Sequence, residues 1–448
     1  MHIEKLKINS YRGLEDVNIT FLKPKNSYFG KLKFSVLVGE NGTGKTSILR
    51  ALTRIFCPNR DLEPRERREL IDFKIRYEID NKVFNYNTNE LYPYKHPSKA
   101  IVSSYTVFDP YSPRPQYRDK IEQEPNQSQE TNFVYCGPSE AFFNTNRILI
   151  RSLIQAITHL REGSPQWGAF NKLKEKLLIG KTLFLELDRN IDSYHDPDVF
   201  DGNRAKIGSE ERELAKDVYR NVNKYRVPKN DDLNVKNGSF LIEFKDFTDS
   251  LKSLYESQFI ADKRTFIRDI WFEKDGKKVS LSDLSSGEIT LLFRFLPLLI
   301  EMKHNSIVLI DEPETHLHPV WAQQFIDYLV DMFREFNAHF ILATHSPLIV
   351  ADLPLECIVG LNKNKNTVQQ YLPTENTLGG DPSELLKEVF GLGTLKGKFT
   401  LELLEEIQKL LDKGGFEDVK KAREIFNDMS ISTEKYKLFT SYRNYLEE

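Results

Sequence analysis

A short apolar run that leads directly into a glycine-rich loop constrains the fold of this chain more than any other feature. The run is Phe34–Val38, and the loop Gly39–Thr46 matches the pattern G-x-x-x-x-G-K-[ST]. Ser47–Phe56 then has the pattern of a helix. Strand, glycine loop and helix in this order predict a phosphate-binding loop at the edge of a parallel sheet.

The residue types in this loop are those that hold nucleotide phosphates. Backbone N–H groups turned inward by the glycines, at the positive end of the following helix, form a cradle for phosphate oxygens. Lys45 would reach the β- and γ-phosphates, the Thr46 hydroxyl would coordinate Mg²⁺, and Ser47 would contact the α-phosphate. The predicted nucleotide-binding residues here are Asn41, Gly42, Gly44, Lys45, Thr46 and Ser47. A glycine-rich turn that matches by chance is the alternative, and the preceding apolar strand disfavours it.

A second apolar strand, Ile307–Ile310, ends in the two carboxylates Asp311 and Glu312. A rigid strand can deliver one carboxylate to a metal ion and the next to an attacking water molecule. We expect Asp311 to hold Mg²⁺ through water and Glu312 to polarise the attacking water as a general base. Solvated acids at a strand end are the alternative, which the glycine loop upstream makes less favourable.

The segment Leu284–Glu288 allows two interpretations. Ser285 and Gly287 lie at the start of a predicted helix, where a hydroxyl and free N–H groups could face a γ-phosphate. The same pattern is typical of an ordinary helix N-terminus, with Ser285 as the cap and Glu288 in the first turn. Because the segment lies one helix and one strand before Asp311, we favour the phosphate-binding interpretation.

Together these three motifs resemble those of the ATP-binding cassette (ABC) ATPases, and within them the branch of Rad50, RecF and the heads of chromosome-structuring proteins. The resemblance implies ATP and Mg²⁺ as cofactors and ATP hydrolysis as the reaction. It also implies a head-to-head homodimer in which Ser285 and Gly287 contact the γ-phosphate of ATP held by the opposite subunit. Two positions depart from the common pattern, since Ser286 replaces a frequent glycine and Glu288 stands where transporters usually have glutamine.

Three further segments carry parts of this resemblance. Ala343–Pro347 resembles the segment with the switch histidine, so His345 is expected to hydrogen-bond the γ-phosphate or the attacking water. Asn9–Gly13 resembles the N-terminal motif whose arginine, here Arg12, approaches the nucleotide; a surface arginine is the alternative. The loop Glu314–Pro319 is similar to the one that touches the opposite site of the dimer.

Two questions stay open at these motifs. His316 and His318 could suggest a metal site, although two histidines without a third ligand are weak evidence. The glutamine that links nucleotide and partner in this family has no clear match, and Gln116 and Gln155 are the candidates.

The predicted fold class is α/β: an ABC-type P-loop ATPase head with a mostly parallel sheet, a largely helical insert and a C-terminal helical tail. We expect the N-terminal lobe of the head at residues 1–110 and its C-terminal lobe at 270–375. The insert, 111–269, separates them, and the tail follows at 376–448. The tail has an apolar stripe at helical spacing, at Leu401, Leu404, Ile407 and Leu411.

The composition indicates the cellular compartment of the protein and the partners it can have. No apolar run approaches the roughly 18 residues of a membrane span, and the start of the chain has no signal core, so we expect no contact with a membrane. Cys57, Cys136 and Cys357 are scattered, which favours a reducing cytoplasm over a disulfide framework. The formal net charge of −3 does not indicate nucleic-acid binding, so any DNA contact needs a local basic face.

One stretch of interleaved cations and acids could supply such a face. Its cations are Arg60, Arg65, Arg67, Arg68, Lys74 and Arg76, and its acids are Asp61, Glu63, Glu66, Glu69 and Asp72. Mixed runs of this kind are typical of solvated helix faces with i,i+4 ion pairs. We favour that interpretation over contact with a phosphate backbone.

Asp311–Pro319 together with Thr344–Pro347 is most similar to the overcoming-lysogenisation-defect group, which includes ATPase subunits of bacterial antiphage defence systems. Neither a Toprim nor an HNH nuclease pattern is recognisable in the sequence, so the resemblance implies a separate nuclease subunit. A Septu-like ATPase with an HNH partner is the first hypothesis, and a PARIS-like ATPase with a Toprim partner is the second. A RecF-like DNA repair clamp and a transporter ATPase are the alternatives, and the long insert argues against the transporter. The tail, 376–448, is a candidate docking segment for the nuclease.

Overall fold

The computed structural model describes most of the predicted head and the C-terminal helices. The described residues are 1–25, 28–57, 71–90, 95–104, 111, 132–137, 149–150, 153–154, 160, 163–180, 182–188, 239–243, 267–365, 367–373, 376–392 and 396–447. Gln116, Gln155 and the basic residues between 58 and 70 lie outside them.

A large sheet of eleven strands forms the centre of the described fold, in the order β5-β4-β1-β2-β15-β14-β3-β13-β12-β6-β7, and a smaller sheet has the order β11-β10-β8-β9. The strands are β1 (His2–Tyr11), β2 (Leu14–Thr20), β3 (Lys33–Val38), β4 (Asp72–Ile79), β5 (Lys82–Asn87), β6 (Ala100–Ser104), β7 (Phe133–Tyr135), β8 (Leu183–Asp188), β9 (Ser239–Glu243), β10 (Ile267–Lys274), β11 (Lys277–Ser280), β12 (Ile307–Asp311), β13 (His339–Ala343), β14 (Ile358–Asn364) and β15 (Thr367–Tyr371). Six of the ten pairings in the large sheet are parallel, which confirms the predicted mostly parallel α/β fold.

Helices connect and flank these strands. They are α1 (Lys45–Phe56), α2 (Pro165–Lys176), α3 (Ser286–Glu301), α4 (Pro319–Gln323), α5 (Phe325–Phe333), α6 (Pro347–Val350), α7 (Pro382–Glu388), α8 (Lys398–Lys413), α9 (Phe416–Asp428), α10 (Thr433–Ser441) and α11 (Arg443–Leu446). None of the described helices is both long and apolar enough to cross a lipid bilayer.

The parallel core of the large sheet sets the position of the predicted site. Strands β14, β3, β13, β12 and β6 lie side by side, and β12 is buried along its whole length because apolar residues cover both of its faces. In the register, Asp311 lies opposite Ala343, and Ala343 lies opposite Leu37. The carboxyl ends of three neighbouring strands therefore bring the loop at Gly39, Asp311 and His345 to one edge, where ligands bind in open α/β sheets.

Strands β1, β2, β4 and β5 form an antiparallel region on one side of this core. β1 and β2 are the two strands predicted around a turn at the start of the chain. The turn consists of Arg12 and Gly13, with φ of 47° and 74°, as a two-residue type I′ hairpin requires. In β1, β2 and β4 buried and exposed residues largely alternate, so one face of the region packs on the core and the other meets solvent.

The interpretation of the basic stretch as a helix face is wrong where the structure describes it. Asp72–Ile79 is strand β4, and its residues alternate between exposed and buried. Lys74 and Arg76 point away from the core, while Phe73, Ile75 and Tyr77 are buried. The charges that suggested i,i+4 pairs on a helix therefore occupy the i,i+2 positions of a strand.

The described part of the region predicted as a mostly helical insert contains three strands that the sequence did not reveal, β7, β8 and β9. β7 pairs with β6 at the end of the large sheet, while β8 and β9 pair with each other, and β8 pairs with β10, in the smaller sheet. The three strands have only three to six residues each, so such a short run could be taken for part of a buried helix. Most of 111–269 lies outside the described residues, and its predicted helical character stays a prediction.

The chain divides into two compact units, Met1–Pro382 and Ser383–Glu448. The second unit contains helices α8 and α9, which pack on each other through a small apolar cluster that includes Ile407, Leu411 and Phe426. This agrees with the helical tail predicted from the apolar stripe. The predicted domain boundaries at 110, 269 and 375 remain predictions.

Candidate nucleotide-binding site

The loop that follows β3 has the backbone of a phosphate cradle. Gly42 and Gly44 have φ of 83° and 95°, a region that residues with a side chain rarely adopt. A Cβ at Gly42 would meet no atom within 4 Å, so the concave side of the loop is open. Asn41 is exposed, and Ser47 lies half-buried in the first turn of α1.

Lys45 is almost fully buried beneath this loop, with 5% of its surface exposed. Its Nζ donates hydrogen bonds to the carbonyl oxygens of Gly39 (2.9 Å) and Glu40 (3.1 Å). Burial lowers the pKa of Lys45 to about 8, against the charges of nearby Glu312, Asp311 and Glu314, which raise it. At neutral pH, Lys45 is therefore a buried cation facing three carboxyl groups.

Thr46 and Asp311 meet across the predicted metal position. The Thr46 hydroxyl donates a hydrogen bond to Asp311 Oδ1 at 3.1 Å, although the two residues are far apart in the chain. Asp311 is fully buried at the end of β12. A hydroxyl and a carboxylate at this distance are the oxygen ligands that Mg²⁺ accepts, so the residues present fit this ion.

Glu312 has an unusual backbone and a perturbed carboxyl group. Its φ is 51°, and its N–H donates to the carbonyl of Ala343 at 2.9 Å, which fixes the turn at the sheet edge. Burial raises the pKa of Glu312 to about 8, and the charge and hydrogen bond of Glu314 and the charge of Asp311 act in the same direction. Lys45 lowers it. A carboxyl with a raised pKa in a cleft is typical of a catalytic acid or base.

His345 faces Glu312 from the loop after β13. Its Nε2 lies 3.4 Å from Glu312 Oε1, and about a third of its side chain is exposed. Burial and the charge of Lys45 lower the pKa of His345, against the charge of Glu314. The imidazole is therefore neutral at neutral pH, so one of its ring nitrogens donates a hydrogen bond and the other accepts one.

Glu314 joins the loop after β12 to the loop after β13, and the sequence analysis did not assign it this position. A single oxygen, Oε1, accepts hydrogen bonds from the Thr344 hydroxyl and from the backbone N–H of His345, both at 2.7 Å. Thr344 Oγ1 in turn accepts from the N–H of Ser346 at 2.9 Å. In the sequence, Glu314 is the last acid of the run Asp-Glu-Pro-Glu, and it was interpreted only as part of the loop that touches the opposite site of a dimer.

Ser285 is the N-cap of α3 and forms a reciprocal capping box with Glu288. Its N–H and hydroxyl both donate to Glu288 Oε2, at 2.9 and 2.7 Å. Glu288 also forms an ion pair with Lys274. Burial acts to raise the pKa of Glu288, but the hydrogen bonds from Lys274 and Ser285 lower it overall. The capping geometry of the alternative interpretation is therefore present, and Ser285 itself is exposed to solvent.

Gly287 has no room for a side chain, and the sequence alone did not show this. A Cβ at Gly287 would lie 1.9 Å from Cζ3 of Trp321, in helix α4. Arg294, fully buried on the same helix as Gly287, donates hydrogen bonds to the carbonyl oxygens of Pro313 and Thr315. Helix α3 is thus tied to the segment after Glu312 by the guanidinium of Arg294, and it packs on helix α4 at Gly287 and Trp321.

Arg12 lies exposed at the tip of the β1–β2 hairpin, with its guanidinium 5.8 Å from the ring centre of Tyr11. Leu14, two residues later, lies against the phosphate loop, since a Cβ at Gly44 would come within 2.4 Å of its Cδ2. The hairpin that carries Arg12 is therefore next to the loop. The approach of Arg12 to nucleotide stays a prediction.

His316 and His318 do not gather into a metal site. His318 caps α4 and accepts a hydrogen bond from the N–H of Val320 at 3.4 Å, and both histidines are exposed. Among the residues that the structure describes, no group of three or more His, Cys, Asp or Glu side chains could hold a metal ion.

The geometry of this edge agrees with the family to which the sequence is similar. A family model described as an AAA ATPase domain matches residues 1–350. The chain belongs to this family. The match includes the phosphate loop, the strand end at Asp311 and the loop of His345.

Several curated relatives cover large parts of the chain. A retron Vc95 probable ATPase from Vibrio cholerae is 31% identical over 243 residues, 50% of this chain and 44% of the relative. Protein ea59 of Escherichia phage lambda is 23% identical over 84% of this chain and 57% of its own length. A Septu protein PtuA from Bacillus mycoides is 23% identical over 87% of this chain and 45% of its own length. The chain spans about half the length of these relatives.

Among solved structures, the SMC head domain from Thermotoga maritima is similar over 83% of this chain and 99% of its own length. The sequence identity is 12% and the TM-score 0.35, so the overlap is too loose to support a functional argument.

Proposed function

We propose that this chain binds and hydrolyses ATP with Mg²⁺ at the carboxyl edge of its parallel sheet. The 3.1 Å contact between Thr46 Oγ1 and Asp311 Oδ1 carries the proposal. It puts two oxygen ligands of the kind that Mg²⁺ prefers beside an open phosphate loop. Membership of the AAA ATPase domain family supports the same reaction.

In this proposal each polar side chain at the edge has a separate role. The bound nucleotide and metal ion supply the phosphoryl group and a local positive charge. Lys45 leaves the carbonyls of Gly39 and Glu40 to bind the β- and γ-phosphates. Glu312 takes the proton of the attacking water. A positive charge bound beside Asp311 would lower the pKa of Glu312 and so favour the ionised form that can accept this proton. The neutral imidazole of His345, 3.4 Å from Glu312, orients the water or the γ-phosphate.

We infer that the active form is a head dimer with two shared sites. The support is the segment Leu284–Glu288, which we call the signature segment, because Ser285 is exposed at the N-terminus of a sixteen-residue helix and the positive end of a helix attracts phosphate. Ser285 and Gly287 of one subunit then bind the γ-phosphate held by Lys45 and Thr46 of the other. On ATP binding, Ser285 would release its hydroxyl from Glu288 and turn it towards that phosphate.

The relatives suggest the biological setting. Retron ATPases and a Septu PtuA protein are among them, so we propose that this ATPase serves a bacterial antiphage defence system. There it would scaffold and regulate a separate nuclease subunit, first of HNH type and as a second candidate of Toprim type. The tail, 376–448, is the proposed docking segment. A RecF-like DNA repair clamp is the alternative function.

Co-expression of the chain with the products of its neighbouring genes tests this setting. Native mass spectrometry of the purified material, with and without ATP–Mg²⁺, would measure which subunits assemble. We expect a small nuclease to co-purify, and we expect Lys45→Ala to remove any effect of ATP on the assembly because the variant cannot hold the phosphates. A lone ATP-dependent dimer that captures DNA would instead favour the repair clamp.

A further inference from the structure

The solvent face of the antiparallel region carries two ordered rows of polar side chains. The first row runs Thr20–Lys5–Arg76–Asn85 across β2, β1, β4 and β5, and the second runs Asn18–Lys7–Lys74–Asn87. In both rows the two central residues are exposed cations, directly opposite each other on neighbouring strands. We call these eight residues the cationic face.

This arrangement costs stability. Side chains directly opposite on antiparallel strands have Cβ atoms about 5 Å apart, and like charges at that distance repel each other. The face has two such pairs, Lys7 with Lys74 and Lys5 with Arg76, and the ion pair of Arg76 with Glu4 offsets part of the repulsion in the second. The two pairs are also adjacent, since Lys5 and Lys7 are one two-residue step of about 7 Å apart along β1. An anion bound over the four cations would remove the repulsion.

Three carboxylates at the margin of this face have partners, and one of these partners, Arg76, belongs to the face itself. Glu4 forms an ion pair with Arg76 at 2.6 Å, and Glu78 forms one with Lys23 at 2.6 Å. Asp72 accepts hydrogen bonds from Asn9 and Thr88, at 2.9 and 3.0 Å. Within the described part of the chain, no carboxylate lies within ion-pair distance of the three central lysines, Lys5, Lys7 and Lys74.

We propose that the cationic face binds the phosphate backbone of double-stranded DNA. Lysine and arginine supply the sequence-independent attraction, and the flanking Asn and Thr side chains can hydrogen-bond phosphate oxygens. The chain as a whole has a formal charge of −3, so this attraction is local to the face. The choice of DNA over other duplexes rests on the proposed function, in which the partner subunit is a nuclease.

The composition of the face favours a duplex over a single strand. Binding of single strands uses aromatic side chains on which unpaired bases stack. The aromatic residues of the described strands in this region pack towards the core on the opposite side, four of them buried and Phe84 partly buried: Tyr11, Phe73, Tyr77, Phe84 and Tyr86. A face with charged and amide side chains but no aromatic rings can bind a phosphate backbone, but unpaired bases cannot stack on it.

A salt titration of DNA binding tests the proposal on the purified chain alone, so its result does not depend on whether a nuclease partner exists. The probe is a fluorescent 30-base-pair duplex, and the measurement is Kd by anisotropy between 50 and 200 mM NaCl. The triple variant Lys5→Gln, Lys7→Gln, Lys74→Gln should lower the slope of log Kd against log salt by about 1 per lysine. At about 0.1 M salt we expect its affinity to fall at least tenfold.

The matched control is Lys398→Gln, Lys409→Gln, Lys420→Gln, which removes the same charge from exposed positions in the tail. It should bind like the wild type, and both triple variants should keep ATP affinity because neither changes the nucleotide site. Wild-type affinity and slope in the first variant would overturn the proposal, as would equal losses in both variants. Tighter binding of single-stranded DNA or duplex RNA of the same length would overturn the choice of double-stranded DNA.

Discussion

At the scale of single residues, Glu314 determines how the two catalytic candidates face each other. Its Oε1 holds Thr344 and the N–H of His345, and His345 in turn faces Glu312. Hydrogen bonds to a charged group contribute about 1.5–3 kcal/mol. We therefore expect Glu314→Ala to lower kcat of ATP hydrolysis by about 10–100-fold while KM for ATP changes little.

A double-mutant cycle separates positioning from general damage. If Glu314 acts through His345, adding Glu314→Ala to His345→Ala should cost little further activity, because the second change removes an interaction already lost. Glu314→Gln keeps the accepting oxygen and should recover most of kcat. Fully additive losses in the cycle, or a Glu314→Gln variant as poor as Glu314→Ala, would show that the contact with His345 is not the reason for the effect.

At the scale of elements, a histidine pair between β1, β3 and β13 makes stability depend on pH. His339 is fully buried, accepts a hydrogen bond from the N–H of Ile3 at 3.1 Å and contacts Ser35 Oγ at 2.9 Å. Its ring centre lies 4.8 Å from that of His2. Burial lowers the pKa of His339 well below 6.5 and that of His2 to about 4. Lys23 and Lys33 add to both effects, and Glu78 opposes them at His2.

The sign of the pH dependence follows from these shifts. The unfolded chain takes up a proton at each histidine near pH 6.5, whereas the folded chain keeps both neutral, so stability falls as the pH drops from about 6.5 to 4. For His2 the shift corresponds to roughly 3 kcal/mol. We expect the melting temperature of His2→Phe to fall less than that of the wild type when the pH is lowered from 7 to 4.5. His96→Phe, at an exposed position, is the control, and equal pH dependence of all three proteins would contradict this account.

The same scale shows what the sequence could predict. The apolar strands at Phe34–Val38 and Ile307–Ile310 were recognisable because parallel strands buried on both faces have continuous apolar runs. Strand β4 was not predicted because charged residues are common on the exposed faces of both strands and helices. What makes this segment a strand is its pairing with β1, a contact with residues far away in the chain. Glu314 and Trp321 were missed for a similar reason, since their roles depend on contacts with residues far away in the chain or on another helix.

At the scale of the whole molecule, each nucleotide site of the proposed dimer is completed by a second copy of the chain. Within one chain, the phosphate loop, Asp311, Glu312 and His345 meet at one sheet edge, while Ser285 contacts Glu288. In the proposed dimer, the signature segment of one subunit would complete the nucleotide site of the other. Arg294, on the helix that follows Ser285, donates to the carbonyls of Pro313 and Thr315 and so links this helix to the loop after Glu312, the proposed base.

Site-specific cross-linking between two differently labelled chains tests this claim most directly. One chain carries Asn41→Cys and the other Ser286→Cys, both at exposed positions and both with Glu312→Gln to prevent hydrolysis, while the native cysteines Cys57, Cys136 and Cys357 are buried. We expect a short thiol cross-linker to join the two kinds of chain when ATP–Mg²⁺ is present and not when it is absent. If ATP binds but no mixed cross-link forms, the site is not shared between subunits and the proposed dimer is wrong.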